Sequence, residues 1–187
     1  MKKLALALSV FAALILTVSA AWAAENVILD SVDIGDVSSE AGHDLVGWGP
    51  IEPTASGGNY GGITNTRCIW DAGDYDPTAT VVLHTPRGSA QSLIFSHLDG
   101  LADDSFNVYA LHANGTWVLV DSYTDLLPTE DTETWHPRTV DLVSPDLAQG
   151  RDLTIKFEAT GPSWGSFGTY GQVCFDTIEL HGNGAPR

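Results

Sequence analysis

Between residues 153 and 160 the chain alternates without a break: Leu153, Ile155, Phe157 and Ala159 are apolar, while Thr154, Lys156, Glu158 and Thr160 are polar. Successive side chains of an extended strand point to opposite faces, so this run predicts a strand with one buried and one wet face. Similar runs, rich in β-branched and aromatic residues and bounded by Gly, Pro, Asn and Asp, predict strands at 26–29, 67–71, 80–85, 92–97, 105–112, 116–123, 134–142 and 171–180. Asn114-Gly115 lies between two of them, and both residues tolerate the positive φ of a tight turn, which predicts a hairpin. Past the first two dozen residues no window keeps a helical period with caps; residues 36–45 predict a short turn of helix with Ser38 or Ser39 as its cap. Many short strands without interleaved helices predict an all-β chain, a single-domain antiparallel two-sheet β-sandwich of the jelly-roll kind.

The first residues follow a different pattern. Lys2 and Lys3 precede an almost wholly apolar run over residues 4–18, and Ala21-Trp22-Ala23 supplies small residues where signal peptidase reads them. Residues 1–23 therefore read as a signal peptide and 24–187 as the domain, released in secreted or periplasmic form. The apolar run is at the short edge of what spans a bilayer, and no Cys near the cleavage point could carry a lipid, so no membrane association is expected after cleavage.

Removing Lys2 and Lys3 leaves 6 basic residues against 24 acidic ones. So negative a surface repels nucleic acid and anionic lipid; it suits neutral or cationic ligands, and it also keeps an exported protein soluble. Cys68 and Cys174, the only cysteines, fit one disulfide formed after export, provided that their strands are neighbours.

Candidate chemistry concentrates in loops. Gly47-Trp48-Gly49-Pro50 runs on towards Gly57-Gly58-Asn59-Tyr60-Gly61-Gly62, and a second loop reads Gly161-Pro162-Ser163-Trp164-Gly165-Ser166-Phe167-Gly168-Thr169-Tyr170-Gly171. The C–H face of a sugar ring stacks on Trp or Tyr while amides, carboxylates and His read its hydroxyls. Trp48, Tyr60, Trp164 and Tyr170 are thus candidate carbohydrate platforms, with His43, Asn59 and Gln172 as polar partners. The competing fate of these rings is to plug the ends of the sandwich. Trp70 and Trp117 fall in strands and are assigned to the core or to a sheet face.

Asp99, Asp103 and Asp104 crowd three carboxylates into six residues, which suits a calcium ion or, equally simply, a solvated turn. The six histidines include no pair at i, i+2 or i, i+4, so no zinc motif is present; a cluster assembled in space, His43 with His97 for example, is invisible to spacing. No Gly-x-Ser-x-Gly elbow occurs, and no two acids stand out as a glycosidase pair. Asn114-Gly115-Thr116 is formally a glycosylation acceptor, though the hairpin already accounts for it.

With its segment Asp99-Gly100-Leu101-Ala102-Asp103-Asp104-Ser105-Phe106-Asn107-Val108-Tyr109 and its last strand Val173-Cys174-Phe175-Asp176-Thr177-Ile178-Glu179-Leu180, the chain resembles the galactose-binding-like β-sandwich group that includes many carbohydrate-binding modules. The resemblance implies a structural calcium ion held by an Asp of the closing strand, matched here by Asp176, with acids of the opening segment; Asp30, Asp33 and Glu40 are candidates. Hydrogen bonds from a neighbouring turn would serve Asp176 as well. The expected function is a secreted, non-catalytic carbohydrate-binding module. A polysaccharide hydrolase or lyase and an extracellular adhesion or matrix module are the alternatives. On this reading the exported protein begins at Ala24; N-terminal sequencing that returned Met1 would refute the leader.

Overall fold

A computed structural model of the chain describes residues 26–49, 51–52, 66–70, 77–85, 89–99, 105–125, 134–142, 152–160 and 172–183. The expected leader, Asn59, Tyr60, Asp103, Asp104, Trp164 and Tyr170 lie outside the described residues, as do the side chains of Trp70, Asp99 and Gln172.

Among the described residues, ten strands and one short helix follow in chain order: β1 (Asn26–Asp33), α1 (Val37–Glu40), β2 (Ile51–Glu52), β3 (Thr66–Trp70), β4 (Thr78–Leu83), β5 (Ser89–Asp99), β6 (Phe106–Leu111), β7 (Trp117–Tyr123), β8 (Thr134–Asp141), β9 (Leu153–Ala159) and β10 (Gln172–Asn183). They form two antiparallel sheets. Sheet A has the order β2-β3-β10-β5-β8, with β1 also pairing β10, and sheet B has the order β4-β9-β6-β7. Each of the nine predicted runs holds a strand over its described residues, while β2, only two residues long, leaves no such trace. The helix starts at Val37 rather than behind a serine cap, because Asp36 accepts the Ser38 N–H at 2.8 Å and so satisfies one of the free amides of the first turn. The hairpin joins β6 to β7 as predicted. Gly115 takes the positive φ, +84°, and the Asn114 carboxamide oxygen accepts the Thr116 N–H at 2.9 Å.

Strand β10 organises sheet A. Its first residues, from Gln172↔Trp70 to Phe175↔Arg67, pair with β3, and its remainder, from Thr177↔Asp33 to Asn183↔Asn26, pairs with β1 on the same side. The β3 register sets Cys174 opposite Cys68, and the two form a disulfide.

The core lies between the sheets. Phe95 and Phe175 come from sheet A, Phe106 and Phe157 from sheet B, and all four are buried. Phe95 meets Phe106, Phe157 and Phe175 at centroid distances of 6.0, 5.3 and 5.9 Å, mostly edge to face, the arrangement that the ring quadrupole favours. At one seam between the sheets Arg138 of β8 grips Asp121 of β7 with two bonds of 2.8 and 2.9 Å, its guanidinium 5.2 Å from the Tyr123 ring centre.

Phe95→Ala should cost about 3–5 kcal/mol in urea unfolding, because a cavity opens where both sheets meet. A cost below about 1 kcal/mol would show that the sheets do not depend on this cluster.

Candidate functional site

Sheet B turns one set of side chains inward and leaves the other on the surface. On β6, Phe106, Val108 and Ala110 are buried, so Asn107, Tyr109 and Leu111 face outward. On β9, Leu153, Ile155, Phe157 and Ala159 are buried, which leaves Thr154, Lys156 and Glu158 outside. Register then groups these outward residues: Tyr109 lies opposite both Leu119 and Lys156, Leu111 opposite Trp117, and Asn107 opposite Glu158. Trp117 is 39% exposed and Leu119 53%, although both are large and apolar.

The resulting face combines rings with hydrogen-bonding groups. The Lys156 ammonium stands 4.2 Å from the Tyr109 ring centre and 5.3 Å from that of Trp117, a cation held over two π-faces. Tyr109 donates its hydroxyl hydrogen to Glu158 Oε2 at 2.7 Å, and its oxygen accepts from the Asn107 amide at 3.3 Å. The Glu158 hydrogen bond, aided by burial and by the charge of Glu158, raises the Tyr109 pKa, so the phenol stays a donor. Glu158 is the one carboxylate among the outward residues of β6 and β9, which gives no glycosidase-like pair there. Trp117 falls in a strand, as its sequence setting predicts, and of the two fates open to it the sheet face is the one it takes. Tyr109 carried no assignment from sequence; its signal was the polar phase of the alternation on β6, which becomes a site only once register sets it beside β7 and β9.

Trp48 has a different surrounding. Its indole N–H donates to the Thr80 carbonyl at 2.8 Å, and its ring meets Phe157 and Phe175 at 5.8 and 5.9 Å, so much of it packs on the core. The neighbouring glycines permit close approach: a Cβ on Gly47 would fall 2.2 Å from the Thr78 carbonyl oxygen, and one on Gly49 2.7 Å from that of Cys68. Trp48 still lines a surface recess of about 460 Å³ with Val37, Glu40, Asp44, Leu45 and Arg67. Glu52 pairs with Thr66 and Gln172 with Trp70, at opposite ends of β3.

Among the described residues, the acids proposed for calcium do not converge on one place. Asp30 is buried beside His43 and His84 and accepts the His84 backbone N–H at 2.6 Å. His43 thus meets His84, at 5.5 Å between ring centres, whereas His97 stacks with Phe106, Tyr123 and His136. Glu40 receives Arg67 Nε and a second bond of 2.8 Å from the same guanidinium, and it also accepts the Gly35 N–H at 2.8 Å. Burial works to raise the Glu40 pKa, but these bonds and the charge of Arg67 hold it below its ordinary value. Asp33 lies next to Asp176, where β10 changes partner from β3 to β1; burial, then the charges of Asp176, Asp36 and Glu40, raise its pKa. Asp99 is on β5 opposite Thr134.

No protein-family model matches the chain, and no curated protein matches it. Among solved structures it is similar to a cleaved adhesin domain of Lys-gingipain from Porphyromonas gingivalis, with 18% identity, a TM-score of 0.44 and coverage of 86% of this chain and 95% of that one. A family 29 carbohydrate-binding module complexed with mannohexaose is similar at 10% identity and a TM-score of 0.47, covering 83% and 92%. A carbohydrate-binding module of a Cellvibrio mixtus lichenase, in complex with cellotriose, is similar at 14% identity and a TM-score of 0.41, covering 85% and 99%. The antiparallel two-sheet β-sandwich of this chain rests on its own strand pairing. Likeness this distant says nothing of ligand, for which the side chains themselves must speak.

Because the folded-state pKa of Glu40 is depressed, its pair with Arg67 stabilises fully above the unfolded value of 4.5 and fades as pH falls through the lower folded value. Arg67→Met should destabilise at neutral pH, with the deficit shrinking in acid. A deficit of constant size down to pH ~3 would contradict the pairing.

Proposed function

We propose that this protein is an exported, non-catalytic module that binds a neutral polysaccharide along the outer face of sheet B. The observation that carries the proposal is the juxtaposition of Tyr109 and Trp117 with Asn107, Lys156 and Glu158 on three hydrogen-bonded strands. Stacking area and hydroxyl-reading groups are thereby held at fixed spacing. Diagonal neighbours across such a ladder sit about 7–8 Å apart, close enough for two rings to engage one chain of sugars. The excess of 24 acidic over 8 basic residues favours an uncharged ligand over a polyanion. Tyr60, Trp164 and Tyr170, with Asn59, are the alternative candidates that the sequence offers, and export by the leader would bring the domain to where polysaccharides are found.

Calcium is proposed as a structural cofactor at the junction of β1 and β10. Asp33 and Asp176 supply the charge there; burial first, and then the charges of Asp176, Asp36 and Glu40, raise the Asp33 pKa, and a cation would relieve the repulsive part. Asp30 and Glu40 have other partners and are not assigned to this site.

Retention on insoluble neutral polysaccharides should weaken on the order of tenfold in Trp117→Ala and in Tyr109→Ala. Loss on Trp164→Ala with full retention in both sheet-face variants would move the site to the loops, and release of reducing sugar would make the protein an enzyme. Separately, calcium should raise the melting midpoint over chelator, because a ligand of the folded state stabilises by mass action. Asp33→Asn should raise the midpoint in chelator and blunt the calcium response. An unchanged wild-type midpoint would remove the calcium.

A further inference from the structure

Three metal-ligating side chains from distant parts of the chain converge where β1 of sheet A approaches β4 of sheet B. Asp30 lies in β1, His43 in the segment after α1, and His84 directly after β4. Each offers one donor atom, and the three atoms lie within 4.8 Å of one another. Asp30 and His43 are both buried, at 8% exposure.

The hydrogen bonds fix which atoms are available. His43 Nδ1 lies 2.8 Å from the Ser39 carbonyl oxygen, and because a carbonyl can only accept, Nδ1 carries the proton. In the neutral ring Nε2 is then a bare lone pair. This atom has no hydrogen-bond partner, yet it faces Asp30 Oδ2 at 3.3 Å. A bare lone pair set against a carboxylate in a buried place is repulsive, and either a proton on Nε2 or a metal ion between the two atoms relieves it. The separation is also that of two ligands on one tetrahedral ion: bonds of about 2.0–2.1 Å place ligand atoms about 3.3 Å apart.

His84 completes the set. Its Nδ1 lies 2.9 Å from Asp152 Oδ1 and its Nε2 2.8 Å from the Gly42 carbonyl oxygen. With an acceptor on each nitrogen the ring carries two protons, so positive charge is already placed beside Asp30. To serve as a ligand the ring must turn so that one nitrogen gives up both its proton and its present acceptor and takes the metal ion instead. The other keeps its acceptor, the outer contact that ordinarily orients a metal-bound imidazole.

We propose that Asp30, His43 and His84 bind a divalent transition metal ion of the zinc class, which ties the segment after α1 to both sheets. Two imidazoles and one carboxylate suit zinc, cobalt, nickel or copper, whereas calcium and magnesium take oxygen ligands. Three protein ligands leave a fourth position for water. This site is separate from the outer face of sheet B and from the Asp33–Asp176 junction, so it stands or falls apart from the proposed function.

The test uses residues 24–187 without a histidine tag, stripped of metal and titrated with Co²⁺ near pH ~7.5, where free imidazoles are neutral. The expected result is the intense visible absorption of four-coordinate cobalt, saturating at one ion per chain, displaced by Zn²⁺ and untouched by Ca²⁺ or Mg²⁺. His43→Gln and His84→Gln should each abolish it; circular dichroism and the metal-free melting midpoint establish that the variants fold, and the partly exposed His84 is the milder change. Absence of the absorption in the wild type would overturn the proposal. So would its full persistence in both folded variants, which would place the ion on other histidines.

Discussion

Contact between the four phenylalanines at the centre of the sandwich is the constraint from which the rest of the structure follows. Phe95 and Phe175 enter from sheet A, Phe106 and Phe157 from sheet B. Burying them commits each strand to one phase of its alternation, since a slip of one residue would send every ring to the surface. The opposite phase is then outward by necessity. That is why Asn107, Tyr109, Lys156 and Glu158 share a face: they are the neighbours in sequence of Phe106, Val108 and Phe157.

Strands were legible in the sequence and their partners were not. Alternation marks a strand wherever one face is buried, and Asn114-Gly115 marks a hairpin because turn chemistry is local. Sheet order is decided by contacts between residues far apart in the chain. Nothing near Cys68 or Cys174 reveals that β3 and β10 are adjacent, and nothing near His43 reveals that the loop carrying it returns to Asp30 and His84. The glycines around Trp48 suggest a ring offered to solvent. They serve instead to let the backbone close against β4 and β3, so that the indole seals the space beside Phe157 and Phe175. Trp117 carries no such flag, yet its place on β7, an edge of sheet B, leaves it on the surface.

Cations are scarce in this chain, and their positions are correspondingly informative. Arg138 joins β8 to β7 across one seam of the sandwich, and Arg67 of β3 neutralises Glu40 near the other. Lys156 alone of these three stands over the exposed rings of sheet B. Two basic side chains thus serve the architecture, while the third stands over the outward rings of Tyr109 and Trp117. The acids at the end of β1 show the complementary situation: burial and the charges of Asp176, Asp36 and Glu40 together raise the Asp33 pKa.

The central claim, that the outer face of sheet B is the ligand surface, is tested most directly by nuclear magnetic resonance of isotopically labelled protein titrated with neutral gluco- and manno-oligosaccharides. The account predicts progressive shifts of the Trp117 indole N–H and of the Asn107, Tyr109, Lys156 and Glu158 amides, with the Trp48 indole unmoved. Shifts confined to Trp48 and residues outside sheet B, or no shifts with any neutral sugar, would contradict it.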